Sequence, residues 1–316
     1  MIWVGTDDGR VQVTRDSGRQ WTDLTPALAA AGTPRDRWVS RVFPSSHDGN
    51  VAYVAKNGFR NDDFAPYLYR TADGGKTWTS IAGDLPRAPI NVVVQDRANS
   101  HLLIVGNDLG VWVSVDDGAR WMRWQANLPT VPVHDLTIHP RENDLVLATY
   151  GRALWVGNMQ PLRELSAETL GRAAYLFDVR PAAQYSFGTQ GMNFALSGDK
   201  YLRIPNEPEG LTIHYWVRAD TAAPVRITVT DTAGTVVRQI SPATHRGLNR
   251  VVIPFVTGGG GRGNSAVGGQ LAPTGGRGGA ATWGAAAGVL APGRYTVILE
   301  AAGERLTKPA VVRTRM

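Results

Sequence analysis

An eight-residue pattern occurs three times in the first half of the chain. It reads TRDSGRQW at 14–21, TADGGKTW at 71–78 and SVDDGARW at 114–121. Each copy has a hydroxyl residue, an Asp two positions later, a Gly two positions after that and a Trp at the end. Because repeated units with repeated surroundings mark repeated folding units, this pattern indicates a fold element used three times rather than a single catalytic centre.

Short runs rich in Val, Ile, Leu and Trp surround each copy. Around the third copy, INVVVQD, HLLIVGND, GVWVSVD and WMRWQ are separated by turn sequences, which predicts four strands joined by hairpins. The second copy has all four runs, the first has the last three, and a fourth unit (VHDLTIHP, LVLATYGR, ALWVGN) lacks the pattern. The Trp residues that end the copies are 57 and then 43 residues apart, and the longer interval contains the extended loop 56–66. A spacing in the forties with four strands per unit is typical of β-propeller blades. The sequence therefore predicts an all-β chain in which 1–157 is a partial propeller of about three to four blades.

Within a blade, the repeated pattern falls in the turn between the third and fourth strands. The hydroxyl and the Asp can accept hydrogen bonds from the turn's amides, the Gly permits a positive φ, and the Trp can pack between neighbouring sheets. We therefore predict structural roles for twelve residues: Thr14, Asp16, Gly18, Trp21, Thr71, Asp73, Gly75, Trp78, Ser114, Asp116, Gly118 and Trp121.

These residues resemble the Asp-box, or bacterial neuraminidase, repeat. Two passages, APYLYRTADGGKTWTSIAGDLP (65–86) and ATYGRALWVGNMQPLREL (148–165), are similar to the C-terminal part of bacterial sortilin-like Asp-box propeller proteins, often labelled glycosyl hydrolases. The resemblance implies an extracytoplasmic protein, periplasmic or secreted, whose propeller binds peptides or proteins. Sialidases, xyloglucanases and non-catalytic receptors also carry the Asp-box, so no catalytic residue is carried over.

Three and a half blades would leave a propeller open, with strand edges and apolar faces that favour pairing with another chain. The start of the chain, MIWVGTDDGR, has neither the basic nor the apolar region of a signal peptide. We expect the missing blades upstream in a longer polypeptide, or else in another copy of the chain.

The alternating strand directions place the turns between second and third strands on the face opposite the boxes, where propellers usually build their sites. Carboxylates, Arg and Tyr on this face are the groups that glycosidases and sialidases use, and Asp62–Asp63 is a possible ligand or calcium site; turn surfaces also collect Asp for conformational reasons. The candidate binding residues are Asp7, Asp8, Arg60, Asp62, Asp63, Asp108, Tyr150 and Arg152.

Three functions follow from this reading. We favour a non-catalytic binding module for a peptide, protein or glycan. The alternatives are a fragment of a sialidase-like or xyloglucanase-like glycoside hydrolase, and a structural scaffold module.

The sequence of the second half predicts a linker (158–190) followed by a β-sandwich (191–316) of the immunoglobulin or fibronectin-III kind. Alternating runs such as TIHYWVRA and VRITVTDTAGTVVRQI support the strands. A Gly-rich segment (257–288) interrupts them and is expected to be a disordered loop. The sandwich is interpreted as a spacer, with carbohydrate binding through Tyr215 and Trp216 as the alternative.

Several classes of site lack support in the sequence. The chain has no Cys, and its six His show no metal-binding spacing; His134 and His139 would point to opposite faces of one strand. We therefore expect no metal and no cofactor. The net charge is +6, but no basic run accompanies it, and the Gly-rich segment offers only Arg262 and Arg277, so nucleic-acid binding is not expected. No window of about 18 apolar residues predicts a membrane span.

Overall fold

The structure, a computed structural model, describes residues 1–125, 127–184, 209–220, 224–257 and 288–314. Its secondary structure is predominantly β-strand, so the all-β prediction is confirmed. The chain divides into two compact units, Met1–Ala167 and Glu168–Met316, called here unit 1 and unit 2. In the described residues no helix is long and apolar enough to cross a membrane.

Unit 1 contains four successive antiparallel sheets, and within each sheet the strands pair in chain order. Their strand numbers, three, four, four and three, follow the runs in the sequence: the first sheet lacks a first strand and the last lacks a fourth. Sheet A has β1 (Ile2–Gly5), β2 (Val11–Thr14) and β3 (Thr22–Asp23); sheet B has β4 (Trp38–Pro44), β5 (Ala52–Gly58), β6 (Asp63–Thr71) and β7 (Thr79–Ser80); sheet C has β8 (Ile90–Gln95), β9 (Leu103–Asn107), β10 (Gly110–Ser114) and β11 (Met122–Arg123); sheet D has β12 (Val133–Ile138), β13 (Asp144–Thr149) and β14 (Leu154–Asn158). Helix α1 (Thr25–Ala30) follows sheet A, a 3-10 turn (Phe59–Asn61) joins β5 to β6, and α2 (Gln160–Glu164) follows sheet D.

The sheets pack face to face in chain order. Tyr53 and Ala55 of β5 belong to the core shared with sheet C, whereas Ala52 and Val54 belong to the core shared with sheet A. Because a strand between two sheets has no solvent face, β5 is apolar at successive positions instead of alternating.

The inner strands of neighbouring sheets converge. The hydroxyl of Ser40 on β4 donates to the carbonyl of Ile90 on β8 at 2.7 Å. Arg41 on β4 forms an ion pair with Asp135 on β12, two sheets away. The sheets therefore radiate from a common inner edge, as propeller blades do.

The box Trp residues differ according to their neighbours. Trp78 and Trp121 are buried: Trp78 packs against Trp3 of sheet A with ring centroids 6.3 Å apart, and the Trp121 indole donates to the Ile81 carbonyl beyond sheet B at 2.8 Å. Trp21 is 43% exposed. Among the described residues no sheet precedes sheet A, so no opposite surface covers this ring, and its packing between sheets stays a prediction.

The outer face of sheet D is also open. Leu154 and Val156 of β14 are each 68% exposed. In sheet C, Val111 and Val113 on β10 are buried on the face turned towards sheet D. Val111 and Val113 in sheet C occupy the positions of Leu154 and Val156 in sheet D. These positions are buried within the stack and exposed at its end.

The segment 158–190, expected as a connector, is divided between the two units in its described part. Arg163 of α2 forms an ion pair with the fully buried carboxylate of Asp96, which directly follows β8 of sheet C, with a shortest distance of 2.6 Å. Further along, β15 (Ala174–Leu176) and β16 (Ala182–Ala183) join the sheets of unit 2. They do so because apolar residues such as Ala174 and Leu176 alternate along the segment and enter the core of unit 2.

In the described part of unit 2, a three-stranded and a five-stranded sheet lie on either side of one apolar core. Ile213 and Tyr215 from one sheet meet Val229 and Leu299 from the other in this core. The immunoglobulin or fibronectin-III class stays a prediction; residues 191–208 of the expected sandwich and most of the Gly-rich segment 257–288 lie outside the described residues. The three-stranded sheet is β15, β17 (Gly210–Val217) and β20 (Gly247–Pro254); the five-stranded sheet is β16, β24 (Glu304–Arg313), β23 (Gly293–Ala301), β18 (Arg226–Thr230) and β19 (Val236–Ile240); β21 (Val256–Thr257) pairs with β22 (Gly288–Val289), and α3 is Ala167–Gly171.

Candidate binding face

The three boxes are closed, hydrogen-bonded turns. In each, the first hydroxyl donates to the Asp carboxylate at 2.8 Å and accepts from the Gly amide at 2.8 to 2.9 Å. The Gln20 amide lowers the pKa of Asp16, and the Thr77 hydroxyl lowers that of Asp73. At Asp116 burial opposes the shift, but hydrogen bonds from the turn still lower the pKa. These hydroxyls and carboxylates are therefore engaged inside their own turns.

The fourth position of each box has a conformational role that the sequence reasoning missed. Ser17, Gly74 and Asp117 have φ values of 64°, 71° and 60°, in addition to the positive φ of the following Gly. Only Gly, and less readily Asn, Asp or Ser, adopts this region at low cost. The small or Asx residue at this position in all three copies was the signal available.

The eight candidate binding residues lie in or beside the turns between the second and third strands of a blade. In sheet A, which lacks the first strand of a blade, this is the turn between β1 and β2. We call these four turns the turn face: residues 6–10, 59–62, 108–109 and 150–153. Asp7 and Asp8 follow β1, Arg60 and Asp62 follow β5, Asp63 is the first residue of β6, Asp108 follows β9, and Tyr150 and Arg152 follow β13.

A cleft of about 280 Å³ opens on the turn face between sheets A and B. Of the eight candidates it brings together only Asp7 and Arg60, with Thr6, Trp38 and Ser40 among the other lining residues. The Arg60 guanidinium lies over the Trp38 ring, 4.5 Å from its centroid. This stack forms one wall of the cleft.

Exposed aromatic residues also lie in and beside the turns of the turn face. Phe59 and Phe64 flank the loop and pack edge to face, with centroids 6.1 Å apart, and both remain exposed. On sheet D, the exposed Tyr150 stacks on His134 at 5.4 Å. The sequence reasoning missed Trp38, Phe59 and Phe64, although the sequence FRNDDF itself placed two aromatic residues around the candidate acids.

The carboxylate of Asp63 is engaged by hydrogen bonds from neighbouring residues. Its carboxylate accepts hydrogen bonds from Tyr67 at 2.8 Å, Arg37 at 3.1 Å and the Ala65 amide at 3.2 Å. Burial by itself would raise the pKa of Asp63, but these bonds lower it. Burial and the same carboxylate raise the pKa of Tyr67 to about 12. Asp62, with a φ of 55°, ends the 3-10 turn.

A chain of amides joins the turn faces of sheets B and C. Asn57 Nδ2 donates to Asn91 Oδ1 at 2.8 Å, and Asn91 Nδ2 donates to Asp108 at 2.9 Å. The Asp108 carboxylate is therefore part of the scaffold that spaces the two sheets.

The structure also bears on metal binding and on the carbohydrate-binding candidates of unit 2. In the part of the chain that the structure describes, no group of three or more His, Asp or Glu side chains is placed to hold a metal ion. Tyr215 lies in the core of unit 2, where its hydroxyl is 2.9 Å from that of Thr244. The prediction that Tyr215 binds carbohydrate is therefore wrong, because strand alternation places its side chain in the core. Trp216 lies on the opposite face of β17.

Comparison with known proteins gives structural likeness only. No protein-family model matches the chain, and neither does any curated protein sequence. Similar solved structures include the GH74 xyloglucanase from Xanthomonas campestris (18% identity, TM-score 0.36, covering 46% of this chain and 25% of that one). They also include YCF48 from Cyanidioschyzon merolae (20%, 0.33, 49% and 51%) and the GH74 enzyme of Niastella koreensis (12%, 0.38, 98% and 43%). This chain thus spans from a quarter to half of the length of these proteins.

Proposed function

We propose that the chain is a non-catalytic binding module whose four sheets are consecutive blades of a β-propeller. We further propose that it is of the extracytoplasmic sortilin-like Asp-box kind and holds a peptide, protein or glycan on its turn face. One observation carries the proposal: the turn face has an Arg60–Trp38 stack beside a cleft and an exposed Phe59–Phe64 pair.

Aromatic rings held at a surface are suited to recognition. Each offers a large apolar face at a small cost in conformational freedom, which is why aromatic residues and Arg are enriched where binding energy concentrates. The Arg60 guanidinium, lying on Trp38, adds donors in a fixed fork for a ligand's carbonyl, hydroxyl or carboxylate oxygens. The proposed ligand therefore combines an apolar or sugar-ring surface with hydrogen-bond acceptors.

Two carboxylates on this face do not suit the role of general acid. A glycosidase needs a general acid whose pKa is raised towards neutrality. Asp8 has its pKa lowered by the hydroxyl of Thr6, and Asp63 has its pKa lowered as described above. Two of the candidate carboxylates are therefore held in the ionised form, which cannot protonate a leaving group.

The proposal is tested by binding of the full chain to an array of oligosaccharides, xyloglucan fragments included, and to a peptide array. Arg60→Gln and Phe59→Ala should each weaken a bound probe by tenfold or more. The matched controls, Arg19→Gln and Met122→Ala, change exposed residues on the box side and at a fourth strand, and should leave binding unchanged.

Absence of binding to every probe, or equal losses in the controls, would contradict a ligand site on the turn face and favour the scaffold alternative. Hydrolysis of aryl glycosides or xyloglucan by the chain would instead establish the glycoside hydrolase alternative.

A further inference from the structure

A cleft larger than the one on the turn face is lined by residues of unit 2. It has a volume of about 440 Å³, and Arg172, Tyr175, Leu306 and Lys308 are among its lining residues. We propose that this cleft, called here the unit 2 cleft, binds a small molecule that carries an oxyanion, either a carboxylate or a phosphate, beside the ring of Tyr175. The proposal does not depend on the proposed function of the turn face.

The unit 2 cleft opens beside the edge strand of one sheet and the outer part of another. β15 is the edge strand of the three-stranded sheet. Among the described residues, β16 pairs with β24 at Val312 and Arg313 alone, and the cleft lies beside the earlier part of β24, around Leu306. Its volume falls within the range of about 300–1,000 Å³ that is typical of sites for small ligands.

Two positive charges converge on the Tyr175 ring. The guanidinium carbon of Arg172 and Nζ of Lys308 each lie 5.8 Å from the centroid of this ring. Arg172 follows α3 and Lys308 lies on β24, so it is the fold that brings these two charges to one cleft. An anion held between them is attracted by both, and therefore more strongly than by either charge alone.

The lining groups indicate what the ligand carries. The planar fork of Arg172 matches the oxygens of a carboxylate or phosphate, and Lys308 adds a compact charge with three donors. The Tyr175 ring and Leu306 supply apolar surface in the same cleft. The expected ligand is therefore a compact molecule in which the oxyanion is attached to a ring or another apolar body.

Each of the two cations already has a carboxylate beside it. Arg172 pairs with Glu168 at 3.4 Å, and Lys308 pairs with Asp178 at 2.5 Å. The side chains of these two acids are 83% and 59% exposed. Because exposed ion pairs contribute little free energy, a ligand oxyanion that reaches both cations can displace the two carboxylates.

The first test is the binding of small acids to the full chain by isothermal titration calorimetry at low ionic strength. The probes are glucuronate and benzoate, which carry a carboxylate, and phenyl phosphate. Benzamide is the neutral counterpart of benzoate. We expect at least one acid to bind, and benzamide to bind at least about tenfold more weakly than benzoate if benzoate is that acid. The comparison of benzoate with phenyl phosphate shows which oxyanion the cleft prefers.

Variants of the two cations test the location of the site. Arg172→Gln and Lys308→Met should each weaken the acid that binds by about tenfold or more. Arg294→Gln, at an exposed arginine of β23, makes the same change in net charge outside the lining of the cleft and should leave binding unchanged.

A variant with the opposite expected effect keeps the test independent of damage to the fold. Asp178→Asn removes a competing carboxylate and should strengthen binding by about twofold or more. Glu300→Gln removes a carboxylate that pairs with Arg226 on the five-stranded sheet, and it should have no effect. The proposal is overturned if none of the acids binds, or if benzamide binds as tightly as benzoate. Equal changes in the variants and their controls would also overturn it, because they would show attraction to the net charge of the chain.

Discussion

Lys56 is a buried lysine whose removal should stabilise unit 1. It is 1% exposed on β5, and its Nζ donates to the Pro34 carbonyl at 2.8 Å. Burial lowers its pKa from 10.5 to about 8, against an opposing effect of the more distant Asp36 and Asp8. The folded state therefore holds the proton less tightly than the unfolded chain does.

The size of the effect follows from the two pKa values. A fall from 10.5 to about 8 corresponds to a penalty of roughly 3 kcal/mol at pH 7, where Lys56 is protonated in both states. Between pH 8 and 10.5 the unfolded chain binds the proton and the folded chain does not, so this penalty disappears as the pH rises. The free energy of unfolding should gain about 2.5 kcal/mol from this group between pH 7 and pH 10.

The substitution Lys56→Met keeps the length of the side chain and removes its charge. At pH 7 it should stabilise unit 1 by about 1–2 kcal/mol, after allowance for the lost hydrogen bond to Pro34. Urea unfolding followed by Trp fluorescence reports on this unit, since eight of the ten Trp residues lie in it.

The decisive quantity is the difference in unfolding free energy between the wild-type chain and Lys56→Met at pH 7 and at pH 10. This difference should shrink or change sign as the pH rises. The contributions of the other titrating groups cancel because both proteins carry them. Lys76→Met, at an exposed lysine, should show no such trend. A difference for Lys56→Met that stays constant with pH would refute the assignment of the penalty to a buried ammonium group.

Three other changes have expected outcomes. Thr71→Val removes the hydroxyl that donates to Asp73 and accepts from the Gly75 amide, and it should lower the free energy of unfolding in urea by about 1–3 kcal/mol. The control Thr79→Val, at an exposed position, should lower it by less than about 0.5 kcal/mol. Trp121→Ala should cost roughly 3–5 kcal/mol and Trp21→Ala under about 1 kcal/mol; equal losses would contradict the difference in packing. Burial, with a contribution from Arg250, lowers the pKa of His214 to about 4, so unit 2 should lose stability as the pH falls from 6.5 towards 4, where only the unfolded chain gains the proton. An NMR titration that finds this imidazole protonated at pH 6 would contradict it.

Much of the candidate binding face could be read from the strand pattern. Once the second and third strands of each unit are recognised, the turns that contain Asp7, Arg60, Asp108 and Tyr150 follow. What those side chains do could not be read in the same way. Asp108 is fastened to Asn91 of a neighbouring strand, and Arg60 lies over Trp38, more than twenty residues away. Such pairings depend on how separate strands approach one another, which local pattern does not specify.

The sequence by itself determined the features that arise within a few residues of each other. The box turn is one, because its hydroxyl, carboxylate and Gly amide lie within five residues and need no outside partner. The count and order of strands is another, because apolar runs between turn residues encode it locally. Only the tertiary structure decided how residues at equivalent positions of the boxes differ in burial. Trp21 and Trp121 end the same box, yet one is exposed and the other buried, because burial depends on whether a neighbouring sheet supplies the opposite surface.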